Sequence, residues 1–340
     1  MDLYGRSVLS VTDLSAQEFM FLVEVASKCR AEKQMGFQRH RLAGRSIALI
    51  FERASTETRP AFEVAAHDEG AHVTYLGTDY SQPGRKEAVK DTARVLGRMF
   101  DGIEYRGFSQ ADVEVLAKYA GVPVWNGLTD DWHPTQMLAD IMTMRDHARK
   151  ELSDVSYCYV GNGQKSIANS LLVTGALLGL DTRICAPSQL QPSRQVRDTA
   201  RQLAAKSDAS ITVTDDIADA VRGADYLYTD VWISAGEPLA DWGQRITLLL
   251  PYQVSIGMLA ATGNPAVKFM HCLPAMHNRG PQLGQQINDE DGPGALEVTD
   301  DVFESPASIV FDQAENRMHT IKATMLATIP PPDGIPSDLP

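Results

Sequence analysis

Cysteine is scarce in this sequence. Four cysteines occur among 340 residues, at Cys29, Cys158, Cys185 and Cys272, and no two of them are spaced as a CxxC pair. A chain of this length can bury enough apolar surface to be stable without disulfide bonds. The scattered cysteines therefore favour free thiols, which are typical of a cytoplasmic protein.

Long apolar runs and excess positive charge are also missing. No segment resembles the run of about 20 apolar residues that makes a membrane-spanning helix. The first residues, MDLYGRSVLS, lack the basic and apolar regions of a signal peptide. The formal net charge is -13, which argues against general affinity for nucleic acid or anionic membranes. We therefore expect neither as a partner, although a locally positive pocket is compatible with this charge.

Helical and strand patterns alternate along the chain. They predict an α/β protein with two doubly wound domains, each a mostly parallel sheet flanked by helices. The domains are expected at residues 1–148 and 149–314. A helix at 315–328 is expected to pack back onto the first domain, and the proline-rich residues 329–340 should form an arm or a disordered tail. The predicted strands are 46–51, 72–75, 102–105, 122–125, 155–160, 182–186, 224–229 and 267–271.

Four polar clusters follow predicted strands or begin predicted helices. They are STETR at 55–59, the arginine Arg106, HPTQ at 133–136 and HCLPA at 271–275. Ligands of open α/β sheets bind at the carboxyl ends of the strands, so these clusters are candidates for one functional region.

Each cluster also has a purely structural interpretation when it is read alone. Ser55 is a good helix N-cap, and Glu57 in the first turn would complement the helix dipole. Arg106 could be a surface ion-pair partner, and His133 an ordinary loop residue. Only the combination of the clusters favours a functional site.

Two further signals are weak. The turn Gly161–Gly163 resembles part of a dinucleotide-binding loop, but any tight turn from a strand to a helix favours glycine. His271, Cys272 and His277 could suggest a zinc site. However, His271 and Cys272 are adjacent in a strand pattern and would point to opposite faces. Cys272 as a nucleophile would need a histidine partner that the sequence does not identify.

Taken in order and at these spacings, STxTR, HPTQ and HCLPA resemble the motifs of the aspartate/ornithine carbamoyltransferase family. The resemblance covers nearly the whole chain. The segments GRKEAVKDTARVLGRMFDGIEYRG, DVWISAGE and FDQAENRMHTIKA are similar to the ornithine branch.

The resemblance implies how a carbamoyl phosphate donor is bound. Hydroxyls and backbone amides of the STETR loop would hold the phosphate, while Arg106 and His133 would contact the carbonyl oxygen. Gln136 would bind the carbamoyl amino group, and Arg317 would help to close the pocket. The implied carbamoyl-phosphate-binding residues are Ser55, Thr56, Glu57, Thr58, Arg106, His133, Gln136, Cys272, Leu273 and Arg317, with Gln82 contributed by a neighbouring subunit.

The resemblance also implies an amino-acid acceptor. Asn169 and Asp230 would hold its carboxylate and α-amino group, and Ser234 and Ala235 would line the pocket for its side chain. The carbonyl groups of Cys272 and of the next residue would orient the attacking amine. The implied catalytic residues are Arg106, His133, Cys272 and Arg317.

The implied reaction is transfer of a carbamoyl group to the side-chain amine of ornithine or a close diamino acid, as in arginine metabolism. The products are citrulline, or an analogue of it, and phosphate. The reaction needs positioning and charge stabilisation, and it implies no covalent intermediate, metal or organic cofactor. In this family the active sites lie between subunits of a trimer, so a homotrimer or a multiple of it is expected.

Three departures from the family's pattern affect this interpretation, the first of which comprises both Glu57 and Pro60. Glu57 stands where the family's STRTR loop has its central arginine, and a carboxylate repels a phosphate dianion. Pro60 follows early in the expected helix. Ala235 replaces the methionine of the ornithine-type SMG loop, and GNGQKSIANSL replaces the more usual GDGRNNMANSL. There are therefore two alternatives. One is a transferase with a changed donor or acceptor, and the other is a catalytically silent ligand-binding relative.

Overall fold

The computed structural model describes residues 2–77, 88–233, 242–278 and 294–331. Contacts between residues divide the chain into two units. The first unit is Met1–Thr143 with Ala314–Pro340, and the second is Met144–Gln313. Each unit contains one parallel β-sheet with helices around it.

The first unit is built on a four-stranded sheet in the order β2-β1-β3-β4, in which every neighbouring pair is parallel. Its strands are β1 Ser46–Phe51, β2 His72–Leu76, β3 Gly102–Arg106 and β4 Val124–Leu128. The helices that accompany them in sequence are α1 Ala16–Gln34, α2 Thr58–Asp68, α3 Val89–Leu96, α4 Gln110–Ala120 and α5 Pro134–His147.

The composition of β1 explains its central place in this sheet. The sequence SIALIF is apolar on both faces, and every residue after Ser46 is buried. Such a continuous apolar run is typical of a parallel strand that is covered on both sides.

Close packing requires glycine at position 102 in β3, because a Cβ atom there would lie 2.3 Å from the Trp125 ring.

The second unit contains a five-stranded parallel sheet in the order β7-β6-β5-β8-β9. Its strands are β5 Ser156–Val160, β6 Asp181–Cys185, β7 Ser210–Thr214, β8 Tyr226–Thr229 and β9 Lys268–His271. Its helices are α6 Ser166–Leu178, α7 Arg194–Ser207, α8 Ile217–Val221, α9 Trp242–Leu249, α10 Ile256–Ala261 and α11 Asp300–Phe303.

A last helix, α12, spans Val310–Thr328, and its residues from Ala314 onward belong to the first unit. There the Trp125 indole N–H donates to the Thr328 hydroxyl at 3.0 Å. Lys322 binds the Asp68 carboxylate at 2.7 Å. The helix is thus anchored to the first unit along most of its length.

The predicted fold class is confirmed, since both sheets are parallel, flanked by helices and doubly wound. All eight predicted strands are present, but β7 was missed. The last helix begins at Val310 rather than at residue 315. Ile329, which was expected in the exposed tail, is buried. Contacts place the boundary between the units at Thr143, whereas the sequence suggested residue 148.

No disulfide joins the four cysteines, three of which are buried. None of the helices in the described part of the chain combines the length and the apolar character that crossing a bilayer requires.

A buried ion cluster lies among α1, the end of α2 and the segment before β1. The Arg41 guanidinium donates to Glu69 at 2.7 and 3.0 Å and to Glu32 at 2.7 Å. Arg39 lies 3.4 Å from the same Glu32 carboxylate, but its side chain is about half exposed. These two arginines therefore form a matched pair for measuring the effect of burial.

We expect Arg41→Ala to lower the free energy of unfolding by about 3–5 kcal/mol, because it removes the buried cation of Glu69 and leaves Glu32 with only the half-exposed Arg39. Arg39→Ala should lower it by less than about 1 kcal/mol, since water screens an exposed pair. Urea denaturation of the two variants and the parent measures the difference. Equal effects in the two variants would contradict the assigned burial.

Candidate active site

The polar clusters of the first unit lie at the carboxyl edge of its sheet. In the order β2-β1-β3-β4, the direction of winding changes between β1 and β3, and this switch point is the usual ligand site of such sheets. The STETR loop follows β1, and Arg106 ends β3 opposite Phe51, the last residue of β1. The fold thus brings the first two clusters to the same point.

Thr58 is where two arginine side chains meet. Its hydroxyl oxygen accepts a hydrogen bond from Arg106 Nη1 at 2.9 Å and another from Arg317 Nη2 at 3.0 Å. Thr58 and Arg317 are buried, and Arg106 is half-buried. Two guanidinium groups beside a helix start can bind the oxygens of a phosphate group.

The loop before α2 is closed by Ser55. Its hydroxyl accepts from the Thr58 backbone N–H at 2.9 Å and donates to the Glu57 carboxylate at 3.2 Å. The first hydrogen bond of the α2 ladder runs from Ala61 N–H to the Glu57 carbonyl, so Pro60 lies in the first turn and breaks no bond. Thr56 is exposed. The Glu57 carboxylate therefore lies within the loop and engages a hydroxyl donor there.

The arginines nearest to Glu57 in sequence are engaged elsewhere. Arg53 pairs with Asp130, and its guanidinium lies 3.9 Å from the centre of the Phe108 ring. Arg59 pairs with Glu63 at 2.8 Å and lies 3.7 Å from the centre of the Tyr75 ring. Arg85 and Lys86, two further cations that could supply charge here, lie outside the described residues. The predicted donor-site residue Gln82 lies outside them as well.

His133 and Gln136 stand at the start of α5, after β4. Both are buried. Burial, together with the positive charges of Arg317 and Arg106, holds the pKa of His133 well below its usual value. The imidazole is therefore neutral at neutral pH and retains one N–H donor. The Gln136 amide nitrogen donates to the Asp140 carboxylate at 2.8 Å.

Glu104, in β3, belongs to this region and was missed in the sequence. It is fully buried, and among the described residues neither carboxyl oxygen has a hydrogen-bond partner. A Cβ atom at Gly127 would lie 2.0 Å from Glu104 Oε1, so that glycine makes room for the carboxyl group. Burial raises the pKa of Glu104 well above its usual value, although the positive charges of Arg106 and Arg317 oppose this shift. The available signal was an acidic residue inside an otherwise buried strand pattern.

The second unit places Asp230 and Cys272 together, after β8 and β9. The Cys272 thiol donates to Asp230 Oδ1 at 3.2 Å, and the Val231 backbone N–H donates to the same oxygen at 2.8 Å. Asn169 lies one turn into α6 and is buried. The other two predicted acceptor-site residues, Ser234 and Ala235, lie outside the described residues.

The backbone after β9 is held by a buried histidine. The Leu273 N–H donates to His271 Nδ1 at 2.9 Å, and His271 Nε2 lies 3.4 Å from the Glu297 carboxylate. The Met276 N–H donates to the same Glu297 oxygen. The Leu273–Pro274 peptide bond is cis. His271 is thus a scaffold for this loop, a role that sequence reasoning did not find.

The second unit does not bring His271, Cys272 and His277 together around one point. His271 faces Glu297, the Cys272 thiol faces Asp230, and His277 Nδ1 lies 2.6 Å from Asp300. The Cys272 and His277 contacts are hydrogen bonds between side chains, and His271 Nδ1 accepts from the Leu273 N–H.

We expect Glu104→Gln to raise the free energy of unfolding at pH 8 and to leave it nearly unchanged near pH 4. A carboxyl group whose folded pKa is raised contributes stability while it is protonated, and that contribution is lost as the pH rises above the unfolded value. Glutamine cannot ionise and avoids this loss. Glu114→Gln, on the exposed face of α4, is the control and should change stability equally at both pH values. A Glu104→Gln variant that is no more stable than the parent at pH 8 would refute this account.

Comparisons with known proteins identify the family of this chain. The family model for the carbamoyl-P binding domain of aspartate/ornithine carbamoyltransferases matches residues 6–146, and the model for the Asp/Orn binding domain matches residues 153–328. An ornithine carbamoyltransferase of Actinobacillus pleuropneumoniae serotype 5b is 54% identical over 330 residues, covering 96% of this chain and 99% of the relative. A catabolic ornithine carbamoyltransferase of Rhizobium meliloti is also 54% identical, over 329 residues, covering 96% and 98%.

Solved structures give the same result. The ornithine carbamoyltransferase of Pyrococcus furiosus is similar with a TM-score of 0.87 and 39% identity, covering 97% of this chain and 98% of that one. The anabolic ornithine carbamoyltransferase of Campylobacter jejuni has a TM-score of 0.83 and 30% identity, covering 94% and 97%. The family expected from the motifs is confirmed: this chain belongs to the aspartate/ornithine carbamoyltransferase family.

Proposed function

We propose that this protein transfers the carbamoyl group of carbamoyl phosphate to the side-chain amine of ornithine or a close diamino acid. The products are citrulline, or the corresponding analogue, and phosphate. The observation that carries the proposal is the convergence of Arg106 and Arg317 on Thr58 at the switch point of the first sheet. The relatives named above, with at least 94% of this chain covered, support the same reaction.

The first unit supplies groups that suit the donor. When an amine attacks the carbonyl carbon, negative charge grows on the carbonyl oxygen and on the departing phosphate. Arg106 and the N–H of neutral His133 are donors for the carbonyl oxygen, and Arg317 and the loop at 55–58 are donors for phosphate. Fixed donors of this kind stabilise the developing charge without reorganisation. The reaction then requires no covalent bond to the protein.

The second unit supplies groups that suit an α-amino acid. The Asp230 carboxylate, held by the Cys272 thiol, is a counter-ion for the α-ammonium group, and the Asn169 amide is a donor for the α-carboxylate. The carbonyl groups of Cys272 and Leu273 orient the attacking amine. We assign the pocket for the acceptor side chain to the segment that contains Ser234 and Ala235, on the resemblance alone.

Glu57 makes a changed donor the second candidate. Its carboxylate occupies the Ser55 hydroxyl that the loop would offer to phosphate, and neither Arg53 nor Arg59 is directed to replace the family's arginine. A donor less anionic than carbamoyl phosphate, or one with a cationic group, would be better tolerated. A silent relative is disfavoured because Arg106 and Arg317 remain arranged for anion binding.

Four further assignments belong to this proposal. We propose a homotrimer or a multiple of it, because the segment around Gln82 resembles one that reaches a neighbouring active site. Light scattering measures the assembly. A cytoplasmic location and a place in arginine metabolism follow from the proposed reaction and from the reduced cysteines. The domains at 1–148 and 149–314 then serve donor and acceptor, respectively.

The deciding experiment is a product assay by mass spectrometry. The purified protein receives carbamoyl phosphate together with ornithine, lysine, putrescine or a shorter diamino acid, each in a separate reaction. Citrulline formed faster than every other product supports the proposal. Faster carbamoylation of putrescine would refute the amino-acid head group, and no product with any acceptor would refute the donor.

We expect Arg106→Ala and His133→Ala each to reduce the rate of carbamoyl transfer about a hundredfold or more, because each removes a donor from the developing oxyanion. Both proteins should keep the parent's circular dichroism spectrum. Arg53→Ala is the matched control, since its guanidinium is committed to Asp130 and Phe108. A near-normal rate in either of the first two variants would contradict the assigned site.

We expect Glu57→Arg to lower the KM for carbamoyl phosphate and to raise kcat, because it removes a repulsive charge and adds an attractive one. Glu57→Gln removes only the repulsion and should give an intermediate KM. Steady-state kinetics over a range of carbamoyl phosphate concentrations measures both. Identical kinetics in all three proteins would mean that residue 57 acts only at the start of α2, and loss of activity in Glu57→Arg would favour a changed donor.

A further inference from the structure

The side-chain amide of Gln136 has a fixed polarity. A glutamine amide can point either its oxygen or its nitrogen in a given direction, and the choice follows from its hydrogen-bond partners. In this protein the nitrogen end of the amide is determined by Asp140, since Gln136 Nε2 donates to Asp140 Oδ1 at 2.8 Å.

Asp140 determines that end because its Oδ1 accepts the hydrogen bond that the Gln136 amide nitrogen donates. It lies four residues after Gln136 on α5, so both side chains project from the same face of the helix. Both residues are completely buried, and water therefore does not compete for the bond. The Gln136 nitrogen must face Asp140, and the oxygen must face away from it.

The opposite end of this amide is unsatisfied. Among the described residues, Gln136 Oε1 is buried and has no hydrogen-bond partner. A buried acceptor without a donor is unfavourable, so the arrangement suits a ligand that brings an N–H group. Gln136 follows His133 by three residues in the first turn of α5, and His133 lies in the electrostatic environment of Arg106 and Arg317.

We propose that Asp140 is a positioning residue that holds the Gln136 amide with its oxygen toward the donor substrate, so that the site selects an N–H group there. The inference rests on the proposed function, in which the donor is a carbamoyl group. A carbamoyl group has an N–H donor at this position, whereas a carboxylate has an acceptor. A site built around a hydrogen bond to an N–H group discriminates strongly against analogues that lack it.

The test uses two stable mimics of the donor, phosphonoacetamide and phosphonoacetate. They differ in one group, which is NH2 in the first and a carboxylate oxygen in the second. Calorimetry gives the dissociation constant of each compound, and the measured quantity is the constant for phosphonoacetate divided by that for phosphonoacetamide. In Asp140→Asn, the new amide can face Gln136 with either end, so Gln136 can turn to present its nitrogen to the ligand. We expect the ratio to fall about tenfold.

The variant also removes a negative charge, which by itself favours the more anionic phosphonoacetate. The control is to repeat the measurement with Asp140→Asn in a Gln136→Leu background, where no amide remains to turn. There the fall in the ratio between the aspartate and asparagine forms measures the charge effect alone, and it should be much smaller than tenfold. If Asp140→Asn does not fold, Asp140→Ser replaces it, because a serine hydroxyl can also donate or accept. The same tenfold fall in the ratio is expected.

The outcomes separate the two ideas. An unchanged ratio in Asp140→Asn, or an equal fall in both backgrounds, would overturn the positioning role while leaving the proposed function intact. Failure of the parent protein to bind either mimic, together with no citrulline in the product assay, would overturn the proposed function and this inference with it.

Discussion

Two positive charges held close together in a buried setting dominate the first unit. Arg106 and Arg317 both donate to the Thr58 hydroxyl, and like charges at such a distance repel strongly where water is excluded. Burial, together with these two positive charges, holds the pKa of His133 well below its usual value, so the imidazole stays neutral. Burial raises the pKa of Glu104 against the same two charges, and among the described residues its carboxyl oxygens have no hydrogen-bond partner. Two guanidinium groups beside a helix start suit the oxygens of a substrate anion.

Much of the fold was predictable because buried parallel strands have a strong sequence signal. β1 is apolar on both faces, and its predicted limits agree with the structure. β7 was missed, whereas β2, an edge strand that is buried to the same partial degree, was predicted, so edge position alone does not explain the difference. The boundaries of helices such as α12 depend on packing that a single sequence does not display.

The sequence offered candidates for the site where polar residues follow predicted strands and match a family motif. Arg106 and His133 were candidates on these grounds, but Glu104 and Asp140 were not. Their importance depends on which side chains share a buried space, and sequence separation does not reveal that. Likewise, the role of His271 follows from its bond to the backbone N–H of Leu273, which becomes visible only in three dimensions.

The contact between Glu57 and Ser55 has a consequence for the design of selective inhibitors. An arginine at this position, as in an STRTR loop, would attract a compound that is negatively charged at that end. In this protein the half-buried Glu57 carboxylate is accessible beside the same loop. A compound that joins a neutral phosphate mimic to a small cationic group would pair with Glu57 here and be repelled by an arginine at that position. A single residue thus reverses the charge that a selective ligand should carry.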